Sequence, residues 1–434
     1  MTIRFAGSRV LMLCAALALA SCGGKGDDGG DAQIRLLNLS KGYPTLDMLT
    51  NVDADDDDED ETQSSSVALD AVGDYVTLDS DTYTIKLKRT GSGSILRSFT
   101  GEELTEGTKN TYIAYGEVGA FGALKLDDTA DPADAGQTRL SIANLSTAGL
   151  VDIYITASDV DLDDTTPVLS SVGAAFASLT TDSGTFRLRV TAAGDTSDVR
   201  LDIASFALAD KGVAALILTS TQGGTLANAV YMPQSGQPTK LLNTKARLRG
   251  AVAIANGAST TIRANGTTIV SAATAGVIGS RYVLLDAGSL PVSLTVNGTA
   301  VTVPNVTLQA GADYTLMAWT NANGPTTSLI TDDNRLPTVS GNAKIRVLNG
   351  MSTLAAPLTL AIDFSPLIEG VPVGEVSDDE ETVAGTDHQL AITNASTAGE
   401  VLTRDSITLQ SASVYTYFLT DNGTTPIGVL RRDR

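Results

Sequence analysis

A chain that returns to the same phrase about every hundred residues folds as a row of like modules, not as one large domain. Four apolar stretches carry a basic residue at or near their start: Ile34-Arg35-Leu36-Leu37-Asn38, Thr138-Arg139-Leu140-Ser141-Ile142, Ala246-Arg247-Leu248 and Ile345-Arg346-Val347-Leu348-Asn349. Their arginines are 104, 108 and 99 residues apart. A second marker sits near each unit's end, in Asn110-Thr111-Tyr112-Ile113, Gly212-Val213-Ala214-Ala215-Leu216, Asp313-Tyr314-Thr315-Leu316 and Val414-Tyr415-Thr416-Tyr417. A third is a turn feeding a strand, Asp81-Thr82-Tyr83-Thr84-Ile85 and Gly184-Thr185-Phe186-Arg187-Leu188. Together they divide the chain into units at 32–128, 137–232, 243–332 and 343–434. Each is long enough to bury its own core. Short polar stretches with proline or glycine join them at 127–136, 233–239 and 332–342, which predicts a semi-rigid string of beads.

Within a unit the apolar pattern has period two. Tyr83, Ile85 and Leu87 alternate with Thr84 and Lys86, so one face of that strand is apolar and the other polar. Asn265-Gly266 and Asn297-Gly298 follow such runs and suit tight hairpin turns. No long stretch of helical period follows the first twenty or so residues. Short antiparallel strands with one solvated face need a second sheet over the other, so the expectation is all-β: four tandem antiparallel β-sandwiches.

The formal net charge of −21 disfavours nucleic acid and acidic lipid headgroups, which need Lys and Arg to neutralise phosphate. The two cysteines are Cys14 and Cys22, and the one histidine is His388. Serine–histidine triads, Cys–His dyads and His-rich metal sites therefore have almost nothing to stand on.

The N-terminus carries the clearest address. Arg4 and Arg9 precede an apolar run, Val10 to Ala20, that is too short to span a bilayer. It ends in Leu19-Ala20-Ser21-Cys22, which resembles the lipobox of bacterial lipoproteins. Residues 1–21 are then a cleaved signal peptide, Cys22 the lipidated residue and 22–31 a flexible tether of Gly, Asp and Lys. The membrane partner is the N-terminal lipid, and several acyl chains hold far more firmly than one. Gly23 is not the aspartate that resembles an inner-membrane retention signal, so the expected location is the bacterial cell envelope at the outer membrane.

At the repeat markers the chain resembles the bacterial domain-of-unknown-function family 4397. That family opens on a Val-Arg-Val-Val type strand, continues through a Val-Asp-Val-Tyr strand and a Gly-Thr-Tyr turn, and closes on a Tyr-Thr strand. Unit 2 is nearest, with Arg139, Val151-Asp152-Ile153-Tyr154 and Gly184-Thr185-Phe186. Unit 1 keeps Arg35, Pro44, Leu46-Asp47-Met48, Thr82-Tyr83 and Thr111-Tyr112. Unit 3 offers Thr260-Thr261-Ile262-Arg263 where the aspartate strand should be, and unit 4 Leu358-Thr359-Leu360. The resemblance implies Ig-like sandwiches and brings no catalytic residue.

Among polar features the acidic runs stand out: Asp53 to Glu61, Asp159 to Asp164 and Asp378 to Glu381. Crowded carboxylates repel one another, and a hard divalent cation relieves that by taking oxygen ligands. Asp159, Asp161 and Asp163 are the candidate calcium ligands, although Asp164 and Ser170 stand where an EF-hand needs glycine and glutamate. The bland alternative is a solvated acidic loop. A glycosidase would need two carboxyls in a sugar-lined cleft. Trp319, the sole tryptophan, reads as a core or edge residue. The expected function is a non-enzymatic, lipid-anchored envelope protein whose modules meet a protein or glycan partner. The alternatives are a carbohydrate-binding or glycan-processing protein and a calcium-stiffened surface adhesin.

Overall fold

A computed structural model describes residues 30–52, 59–354 and 356–434. Cys22, the leader, the tether up to residue 29 and the acidic stretch 53–58 lie outside the described residues. All regular structure among the described residues is strand, arranged as a row of two-sheet sandwiches. In unit 1 one sheet runs Ala71–Val72, Asp31–Ser40, Lys109–Glu117, Ala120–Asp127, with Val76–Asp79 also pairing along Asp31–Ser40. The facing sheet runs Glu61–Ala68, Thr45–Val52, Thr82–Arg89, Ile95–Glu103. The other units repeat this plan.

Each sandwich has one parallel pairing in an otherwise antiparallel frame. The opening strand lies alongside the penultimate one: Asp31–Ser40 with Lys109–Glu117, Gln137–Asn144 with Gly212–Ser220, Lys245–Val252 with Asp313–Asn321, and Asn342–Asn349 with Val414–Asp421. A parallel pair needs a long crossover, and here the strands of the facing sheet supply it. The parallel registers set Arg35 opposite Thr111, Arg249 opposite Thr315 and Arg346 opposite Thr416, with Ser141 opposite Ala215 in unit 2. The structural equivalents are thus Arg35, Ser141, Arg249 and Arg346, rather than the Arg139 and Arg247 that spacing alone aligns with them.

Each unit fills its own interior, as the period-two pattern predicts. Tyr83, Ile85 and Leu87 point into the first core beside Ile34, Leu36 and Met48. A bulge shapes every second strand. The register slips beside Asp47, Asp152, Thr261 and Thr359. In the first three units the slip places Ser66, Ser171 and Ala272 at positive φ. Asp47 accepts the Ser66 N–H at 2.9 Å, Asp152 the Ser171 N–H at 2.8 Å, and the Thr261 hydroxyl the Ala272 N–H at 3.0 Å. Unit 4 instead has Gly370 at φ +72°, where glycine needs no such support. The aspartate strand missing from units 3 and 4 is a different solution to the same bulge.

The expectation of separate beads gives way to face-to-face pairing. Leu37, Leu39 and Ile113 of unit 1 form one buried cluster with Ala143, Ile217, Val230 and Met232 of unit 2. Ala251, Ile278 and Met317 of unit 3 do the same with Leu348 and Phe418 of unit 4. The opening strands of units 1, 3 and 4 are therefore covered on both faces, whereas that of unit 2 stays half-exposed at Arg139 and Ser141. Residues 233–239, expected as a linker, are the turn of a hairpin in which Ala227–Pro233 pairs with Thr239–Leu241.

Candidate functional site

Where two sandwiches meet, the chain buries its charge. Arg249 is 2% exposed and Arg346 3%. Each donates its Nε to the threonine opposite it in its own unit, Thr315 at 2.8 Å and Thr416 at 3.0 Å. Those hydroxyls pass the bond on, Thr315 to Asp332 at 2.7 Å and Thr416 to Asp433 at 2.5 Å. The guanidinium tips then cross over: Arg249 pairs with Asp433 of unit 4, and Arg346 with Asp332 of unit 3. The cluster holds two positive and two negative side chains and so is neutral. Tyr282 donates its hydroxyl to Asp332 at 2.7 Å, and the Arg247 and Arg249 guanidinium carbons lie 4.5 and 4.8 Å from its ring centre.

Burial works against ionised Asp332, but Arg346 and Arg249 outweigh it and hold the carboxyl below the usual carboxylate range. Burial and the neighbouring Asp332 push the Tyr282 hydroxyl well above that of an ordinary tyrosine. Every group here is closed on another protein group, so the arrangement chemically is a lock.

Unit 1 carries the same set and keeps it to itself. Arg35 donates to Thr111 at 2.9 Å and to Asp128 at 2.5 Å, and its guanidinium carbon lies 4.2 Å from the Tyr75 ring centre. Unit 2 puts Ser141, Ala215 and Gln234 in the equivalent places, so no exchange occurs. Met232 lies against Arg35 instead, with Sδ 3.9 Å from Nη2, and Gln234 donates to the carbonyls of Asp128 and Ala130 at 2.6 and 2.9 Å. None of these threonines, aspartates or tyrosines stands out from the sequence for chemistry. One signal was available: the aspartate follows the threonine by 17 residues in all three sets.

The acidic loops are spread among other tasks. Asp163 accepts from Thr196 at 2.8 Å, and the loop carrying Asp159 and Asp161 is held by Arg187 on the Ser158 carbonyl and Arg189 on the Val160 carbonyl, at 3.3 and 2.8 Å. Among the described residues no group of three or more His, Cys, Asp or Glu side chains is placed to hold a metal ion. In unit 4 Glu381 fastens the connection from unit 3, accepting from Thr338, Val339 and Asn342. Burial opposes its charge, but those hydrogen bonds outweigh it and hold the carboxyl down to about 2. His388 is half-buried, with Nδ1 2.7 Å from the Asp363 carboxylate.

A groove of about 800 Å³ opens between units 3 and 4, beside the arginine cluster's apolar neighbours. Asn256, Trp319 and Asn321 line it from unit 3, and Thr353, Pro357 and Pro372 from unit 4. Trp319 is half-buried, and its indole N–H donates to Ser328 at 2.8 Å. Its ring lies on Gly374, where a Cβ would stand 2.2 Å from Cζ2.

Comparison with known proteins follows the repeat. The family model described as "Domain of unknown function (DUF4397)" matches residues 32–154 and 246–353. Each match runs through one unit of a pair and into the next. No curated protein matches the chain. Among solved structures it is similar to CBMbc (family CBM26) of Amy13K from Eubacterium rectale, solved in complex with maltoheptaose. That likeness has 12% identity and a TM-score of 0.17, and covers 47% of this chain and 98% of that one. So loose a superposition supports no argument about fold or ligand.

Proposed function

This chain belongs to the DUF4397 family, and from that premise we propose that it is a non-enzymatic, lipid-anchored protein of the bacterial cell envelope, built to present paired sandwich modules to a partner. The observation that carries the reading is the destination of its buried charge. Arg35, Arg249 and Arg346 close on aspartates and threonines at the paired faces instead of lining a cleft. Buried ion pairs of this kind specify which surfaces meet, and their charged groups are committed to one another. Repeated modules also suit multivalent contact, where several weak sites on one body act together.

Cys22 is the anchor in this reading, with Gly23 favouring the outer membrane. Mass spectrometry of the protein extracted from membranes tests it. The expected N-terminal peptide begins at an acylated Cys22, and an unmodified cysteine or a retained leader would remove the anchor from the proposal. Labelling intact cells with a membrane-impermeant reagent then decides which compartment supplies the partner.

A further inference from the structure

We propose that the groove between units 3 and 4 binds a neutral oligosaccharide, laid along the ring of Trp319. The groove's walls carry no charged side chain, on a chain whose formal net charge is −21. An uncharged ligand fits that selection, because a cation would be drawn to the acidic loops and an anion would be repelled by the whole surface.

What the walls offer instead is one aromatic ring and a set of neutral hydrogen-bonding groups. Among the described residues, the side chains of Asn256, Thr320, Ser352 and Thr353 make no hydrogen bond to protein, so their amide and hydroxyls are available to a ligand. A sugar ring matches this combination with an apolar C–H face and a rim of hydroxyls. The site is also pre-formed. Ser328 holds the indole N–H and Gly374 supports the ring, so little side-chain freedom remains to be lost on binding. Apolar walls with a few placed polar groups are what small-ligand sites share, and the volume lies within their usual range. The inference does not depend on the lipid anchor.

Trp319 is the only tryptophan, so indole fluorescence reports this groove alone. The purified full chain is titrated with hexasaccharides of glucose, mannose and N-acetylglucosamine. The expected result is a saturable emission shift with at least one series. Thr320→Val and Thr353→Ala, which remove hydroxyls that make no protein hydrogen bond among the described residues, each weaken that binding about five-fold, as for one lost neutral hydrogen bond. Calorimetry on Trp319→Leu shows the binding lost. No saturable shift with any of the three series overturns the proposal. So does saturation by a proline-rich peptide in place of the sugars, or sugar binding of unchanged strength in both hydroxyl variants.

Discussion

Asp332 is fully buried and receives hydrogen bonds from Thr315, Tyr282 and Arg346, with the Arg249 Nε 3.7 Å away. Asp332→Asn would leave two guanidinium groups sharing one carboxylate in the interior. Breaking a buried pair from one side costs about 3–5 kcal/mol, which a urea titration would read as a lower midpoint with little change in slope. A loss below about 1 kcal/mol would mean that water reaches the cluster. The bulge aspartates make a second, smaller test. Asp152 accepts from Ser171 and from Gly194, so Asp152→Ala strands two backbone N–H groups. That should cost about 1–3 kcal/mol, and Asp152→Asn should recover part of it. Sequence showed these aspartates as a family motif but not their task, because the residues they serve lie 19 and 42 positions downstream.

At the scale of single strands, alternation was legible wherever one face meets water. Tyr83-Thr84-Ile85-Lys86-Leu87 sorts into buried and half-buried residues as period two requires. The opening strands of units 1, 3 and 4 broke that rule. Ile34 to Ser40 are buried, apart from a half-exposed edge at Gln33, because a second unit covers the outer face. Arg35 inside such a run looks like a solvent-facing residue until its threonine and aspartate are placed. Spacing picked Arg247 as the repeat equivalent, although Arg249 lies in the same strand on the same face. The parallel register chose Arg249, and left Arg247 to make a two-pronged pair with Asp313 at 2.7 Å per bond. Phe418 belongs to the outward face of its strand and is fully buried against unit 3. Phe418→Ala should cost about 3–5 kcal/mol in thermal or chemical unfolding. A solvent-facing phenylalanine on a free bead would cost almost nothing, so the measurement separates paired units from independent ones.

Across the whole molecule the pairs behave as larger bodies than the repeat predicts. Units 2 and 3 touch as well: the Gly223 N–H donates to the Gly311 carbonyl at 3.1 Å, and Asn334 N–H to the Gly223 carbonyl at 3.0 Å. Acid should expose this construction. Asp332 and Glu381 are held below the ordinary carboxylate range in the folded protein, so the unfolded chain takes up their protons first as pH falls. Their contribution is complete above about pH 5, and it drains away as pH drops through about 4 towards 2. The melting temperature is therefore expected to stay level near neutrality and to fall steeply below about pH 4, with Asp332→Asn flattening part of that fall. A melt that rises on acidification would contradict the sign.

By itself the sequence determined the module and its count: period-two alternation, turn signals and a hundred-residue recurrence are local properties, readable without knowing what touches what. It also determined the family and excluded most histidine and cysteine chemistry by simple scarcity. Only the tertiary structure decided that the modules pair through their outer faces and that arginines on different units exchange aspartates. Those features depend on strand register and on contacts such as Arg249 with Thr315 and with Asp433, 66 and 184 positions away. At such separations a linear pattern carries no sign of which charge will meet which.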